Sequence, residues 1–141
     1  MIFRYTKAFP NTPPRPYLDI ILRNGFQTTD KLMALVDSGA DYPIFPMEIA
    51  VDQLRLDLRS APVWLFSGTT GKAQIARLAD VGLTILGEDN ISHVFGEVSS
   101  TCAFCEDFTF SGGCLLGQEG FFSRFRTTFD QPKNVFEIVA V

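Results

Sequence analysis

The chain has 141 residues, 46% of them hydrophobic and 20% charged, and a net charge of −4, which fits one globular domain with enough apolar side chains for a core. Basic residues occur only as scattered pairs, which argues against a nucleic-acid partner, and no run of about 18 apolar residues is present to cross a membrane. The first residues, Met1 to Pro16, carry neither the apolar segment nor the small-residue cleavage site of a signal peptide, so a cytoplasmic location is expected.

Residues 1–16 read as an extended N-terminal arm, because Pro10 to Pro16 is too rich in proline for a helix or a central strand. The folded domain then spans residues 17–141. Tyr17 to Arg23 alternates, with Leu18, Ile20 and Leu22 on one face and Asp19 and Arg23 on the other, and Asn24-Gly25 closes this strand. Leu32 to Val36 is a continuous apolar run, expected as a strand buried on both faces. Ile44 to Leu58 is mixed, and Pro46 can start one helical turn before Glu48-Ile49-Ala50. Val63 to Phe66 reads as a strand, Gly68-Thr69-Thr70-Gly71 as a tight turn, and Ala73 to Ile75 as the returning strand. Val81, Leu83 and Ile85 alternate again before the turn residues Gly87-Glu88-Asp89-Asn90. The segment 91–113, rich in Ser, Gly and Phe, is expected as one irregular hairpin. Cys114 to Leu116 is a short apolar strand, Phe121, Phe122 and Phe125 share a face if residues 119–126 are helical, and Asn134 to Val141 is strand-like. Many short strands with one or two helical turns make an all-β protein, to which 14 phenylalanines contribute large buried areas.

Asp37 stands out chemically. It follows Leu32 to Val36 directly, so a buried strand ends on a carboxylate, and a carboxylate taken from water needs partners or a task. Ser38 can orient it with a hydroxyl, and Gly39 lets another backbone approach. Asp-Ser-Gly is also common in ordinary Asx-type turns, so the tripeptide alone leaves both readings open.

The surroundings sharpen this. Ala34-Leu35-Val36-Asp37-Ser38-Gly39-Ala40-Asp41, followed by Ile44-Phe45-Pro46, resembles the active-site strand and loop of retropepsin-like aspartic proteases. Leu115-Leu116-Gly117, then Glu119 to Phe122 and Phe125, is similar to that family's second landmark, an apolar pair and glycine leading into a C-terminal helix. Gly68-Thr69-Thr70-Gly71 sits where the family carries its substrate-covering flap. The resemblance implies a closed β-barrel of the acid-protease type with one short C-terminal helix. It also implies an aspartic endopeptidase that works without a cofactor as a homodimer on peptide or protein substrates. Its subunits would join through terminal strands, here Met1 to Thr6 and Val135 to Val141. Asp37 would be the catalytic residue, and Ser38 would hydrogen-bond across the dimer axis. Gly39 would leave room for the substrate, and Ala40, Asp41 and the turn 68–71 would bind it. The position after Gly117, often arginine in the family, is Gln118, which cannot form a bidentate ion pair; Asp41 is then expected to reach Arg124 or Arg126, or to be held less firmly. The competing reading is a non-catalytic peptide- or protein-binding module on the same fold.

Three cysteines, an odd number, do not make a disulfide framework. His93, Cys102, Cys105 and Cys114 are the residue types of a tetrahedral zinc site, against which Cys114 reads as a small buried apolar residue beside Leu115; no metal is the expectation. Trp64, just before the 68–71 turn, reads as either core or subsite lining.

Overall fold

The computed structural model describes residues 1–67, 71–106, 108 and 114–141. Its strands are β1 (Ile2–Arg4), β2 (Tyr17–Asn24), β3 (Gln27–Thr28), β4 (Leu32–Val36), β5 (Ile44–Pro46), β6 (Val63–Ser67), β7 (Ala73–Ile85), β8 (Val98–Cys105), β9 (Cys114–Leu116), β10 (Phe125–Asp130) and β11 (Val135–Ala140). Neighbouring strands follow the order β3-β2-β4-β9-β5-β8-β7-β6, and β2 also pairs with β7. That extra pairing closes β2, β4, β9, β5, β8 and β7 into a ring, the closed all-β barrel expected from the sequence.

The barrel forms because its strands alternate. Leu18, Ile20 and Leu22 of β2 are buried, as are Val81, Leu83 and Ile85 of β7, and the two strands register Ile20 against Ile85 and Leu22 against Leu83. Phe45 and Phe104 are fully buried with ring centroids 5.9 Å apart; each such side chain contributes about 1.5–3 kcal/mol over its exposed state. β7 is one strand of 13 residues, not the two short strands the pattern suggested. Its first part pairs with β6 and its last part with β2, while β8 runs alongside the middle.

The segment 91–113 differs most from expectation. Its centre is not an irregular hairpin but β8, an inner strand between β5 and β7. The helix expected over 119–126 is also shorter. Gln118–Phe122 forms one kinked turn in which Glu119 and Gly120 leave helical geometry, and Phe125 opens β10. The phenylalanine cluster survives this change: Phe121 and Phe125 are both buried, with centroids 5.3 Å apart. The helical turn after Pro46 lies at Ile49–Gln53, with the Leu54 amide donating to the Ile49 carbonyl.

A second sheet, ordered β1-β11-β10, packs beside the barrel. Phe3, Phe136 and Phe129 occupy one row across it, and Phe3 stacks on Phe136 at 5.5 Å. Residues 1–16 are therefore tied down at both ends: Ile2–Arg4 pairs with β11, and Thr6 bridges Arg15. β11 is hydrogen-bonded along both edges within its own chain. No helix among the described residues is long and apolar enough to cross a membrane.

Candidate active site

β9 lies between β4 and β5, running parallel to the first and antiparallel to the second. The chain must therefore leave β4, pass over the end of β9 and re-enter on its far side, and residues 37–43 make that crossing. Asp37 is the first residue of the crossing. Its backbone amide donates to the Leu116 carbonyl at 3.0 Å, extending the β4–β9 ladder by one bond. Its side chain is half-buried, and the Gly39 amide donates to Oδ1 at 2.9 Å. The Asx-type bond is thus present, on a carboxylate that also terminates a core strand.

Residues 117–119 hold the crossing from beneath. The Gln118 side-chain amide donates to the Ser38 carbonyl at 2.7 Å, and the Gln118 and Glu119 backbone amides donate to the Ala40 and Asp41 carbonyls at 2.8 Å each. Three carbonyl groups of the loop (Ser38, Ala40, Asp41) are satisfied by two adjacent residues. Gly117 is needed for this approach, since a Cβ there would lie 2.5 Å from the Tyr42 oxygen and 2.6 Å from the Ala40 oxygen. Ser38 and Gly39 are exposed and Ala40 is buried. Asp41 is exposed and forms no ion pair or side-chain hydrogen bond among the described residues, so the expected contact with Arg124 or Arg126 is absent. Arg124 instead accepts the Val141 amide at its carbonyl, and Arg126 lies on β10 opposite Val139. The sequence marks Gln118 as a hydrogen-bond donor that lacks arginine's charge, but not Ser38 as its acceptor.

Beside the crossing lies an apolar cluster separate from the barrel core. Ala40, Ile44, Ala76, Ala103 and Cys105 form its buried base, and Tyr42, Trp64, Phe66 and Leu115 pack on it partly exposed. Trp64 and Phe66 sit two residues apart on β6 and stack at 4.5 Å, while Tyr42 meets Trp64 edge-on at 5.0 Å. Trp64 therefore belongs to this shelf and not to the barrel core. β6 and β7 form the expected hairpin, registered from Val63–Arg77 to Ser67–Ala73. Of its turn, Gly68, Thr69 and Thr70 lie outside the described residues; Gly71 has φ +75°, a conformation glycine adopts without strain.

The alternative zinc set is not brought together. Cys102 and Cys105 lie three residues apart on β8, so they face opposite sides of the strand, Cys102 in the barrel core and Cys105 in the smaller cluster. His93 is exposed and bridges Leu86, and no group of three metal-ligating residues occurs among the described residues. Burial pushes the Cys102 and Cys114 thiols up to about 12, from an ordinary value of 9.0. Because the folded state keeps both protons longer than the unfolded chain, this contribution to stability is complete below pH 9 and declines as pH rises toward 12. A Cys102→Ala/Cys114→Ala double variant is expected to lose stability less steeply above pH 9 than the parent in denaturant titrations. Equal slopes would show that the thiols are not shielded.

No family model matches this sequence, and no curated protein does. Among solved structures, the crystal structure of a retropepsin-like aspartic protease from Rickettsia conorii is similar, with 17% sequence identity and a TM-score of 0.58 over 99% of this chain and 97% of that one. At this identity the likeness establishes a shared fold.

Proposed function

We propose that the chain is one half of an aspartic endopeptidase, completed when two copies meet about a two-fold axis with their Asp37 side chains together. The observation that carries this reading is the placement of Asp37: a half-buried carboxylate at the end of a core strand, on a crossing braced by Gln118 and Glu119. The retropepsin-like fold of the similar structure supports it. Two carboxylates about 3 Å apart at an effective dielectric of about 20 repel by roughly 5 kcal/mol, so the pair holds one shared proton over a broad acidic range. The ionised member takes a proton from water as the water oxygen attacks the peptide carbonyl carbon. The protonated member donates to the carbonyl oxygen. Collapse of the resulting tetrahedral diol breaks the C–N bond, with the amine leaving protonated. No cofactor and no covalent intermediate enters.

In this reading the exposed terminal residues Met1, Ile2, Val139 and Val141 supply apolar contact surface between the copies. Strand exchange at β11 is not required, since its edges are already paired. An extended peptide lies along residues 37–41 with apolar side chains on the Tyr42–Trp64–Phe66 shelf, covered by the β6–β7 hairpin as a flap. We assign the protein to the cytoplasm, where its three buried thiols stay reduced. The direct test is cleavage of an unstructured peptide pool from acidic to neutral pH, where a bell-shaped rate profile is expected. Binding without cleavage would favour the non-catalytic module. Gln118→Ala removes the bond to Ser38 and is expected to lower kcat about fivefold, as befits a net hydrogen-bond contribution of about 1 kcal/mol. KM should stay nearly constant, and an unchanged kcat would dismiss the bracing role.

A further inference from the structure

We propose that Asp41 determines specificity, selecting a lysine or arginine side chain in the peptide bound along the Asp37 crossing. The proposal rests on the peptidase reading above and adds a substrate class to it. The backbone of Asp41 is fixed, because its carbonyl accepts from Glu119 and its neighbours Ala40 and Tyr42 belong to the apolar cluster. Its carboxylate is exposed and has no hydrogen-bond or ion-pair partner among the described residues. Residues 68–70, 107 and 109–113 contain no lysine or arginine, so they hold no cation to neutralise it. The adjacent Gln118 is uncharged, and its amide is committed to the Ser38 carbonyl.

An exposed carboxylate without a counter-ion among the described residues, carried on a held backbone next to Tyr42 of the aromatic shelf, is complementary to an amphipathic cation. The alkyl stem of lysine or arginine covers aromatic surface while its head reaches the carboxylate. A glutamate at the same place would meet like charge. An ion pair formed on a partly desolvated rim contributes about 1.4 kcal/mol, which corresponds to about a tenfold preference.

The test uses matched peptides carrying Lys, Gln or Glu at single positions two to four residues from the cleaved bond. Parent, Asp41→Asn and Asp41→Lys proteins are compared by kcat/KM at low and high salt. The same peptides are titrated onto Asp37→Asn protein by fluorescence anisotropy. The expected result is about a tenfold preference for Lys over Gln in the parent, reduced by salt, absent in Asp41→Asn and reversed toward Glu in Asp41→Lys. Lys peptides should also bind Asp37→Asn protein about tenfold tighter than Gln peptides. Asp37-dependent cleavage with no Lys preference, or with one that survives Asp41→Asn, overturns the specificity proposal and leaves the peptidase reading intact. Lys-selective, salt-sensitive binding that is lost when Asp41→Asn is combined with Asp37→Asn, without cleavage by the parent, retains Asp41's role and overturns the peptidase reading. Absence of both binding and cleavage for every peptide overturns both.

Discussion

Asp37→Asn is expected to lower kcat/KM by about 10⁴-fold on any peptide the parent cleaves, the upper range for removing positioned acid–base groups. The amide is nearly isosteric, and its oxygen can still accept the Gly39 amide that now reaches Asp37 Oδ1, so the turn should persist. In the proposed dimer the change falls on both halves of the site at once: an Asn pair has no proton to share and no base to receive one. Melting temperature and sedimentation should therefore match the parent. Subunit mixing makes the argument sharper. After exchange of equal amounts of parent and Asp37→Asn chains, roughly one quarter of the activity remains if one carboxylate per copy is required, because only parent pairs work. A site complete within one chain would leave roughly half. Retention of half the activity, or of any Asp37-independent cleavage, would remove the shared-carboxylate mechanism.

The parts of the molecule legible in its sequence are those where one physical signal dominates. Leu18, Ile20 and Leu22 alternate with polar neighbours and became the inward face of β2; Leu32 to Val36 ending on Asp37 marked a core strand that stops on a charge. β8 was hidden because Ser99-Ser100-Thr101 suggests a surface loop. Ser100 is in fact 1% exposed, with its hydroxyl 3.4 Å from the Cys102 sulfur, so a small polar residue occupies a barrel position that an apolar pattern would not reveal. The spacing of Phe121, Phe122 and Phe125 mimics helical periodicity, but Gly120 at φ +103° breaks the turn. Arg124-Phe125-Arg126 then alternates out-in-out as the start of β10. β1 has three residues, too few for periodicity to register.

The candidate site divides the same way. Asp37, Ser38 and Gly39 could be found because their chemistry is local. The brace from Gln118 could not, since it spans 80 residues and joins a side chain to a backbone carbonyl, leaving no trace in residue type beyond the capacity of glutamine to donate. Among the described residues Asp41 has no partner, and Gln118 beside it is a neutral donor that spends its side-chain amide on Ser38.

Gly117→Ala should be the most damaging change near the site that touches no reacting group. With φ −114° and ψ −172°, Gly117 adopts extended backbone that alanine tolerates, so the cost is steric. The added Cβ would meet the Ala40 and Tyr42 oxygens at 2.6 and 2.5 Å and the Tyr42 carbonyl carbon at 2.6 Å. All three are backbone atoms, and the Ala40 oxygen also accepts the Gln118 amide. Relief requires moving the 37–43 crossing away from β9 and lengthening the bonds that brace it. Overpacking and one lost buried bond together cost about 3–4 kcal/mol, which lowers the melting temperature by about 10 °C for a domain of this size. Activity should fall further than stability, because the displaced segment begins at Asp37. Gly82→Ala is the control: there the three atoms nearest the added Cβ belong to the Glu97 carboxylate, a side-chain end whose displacement costs at most its surface ion pair with Arg23, so a shift of a few degrees at most is expected. Similar melting temperatures for the two alanine variants would refute a close backbone approach at Gly117, and with it the brace beneath Asp37.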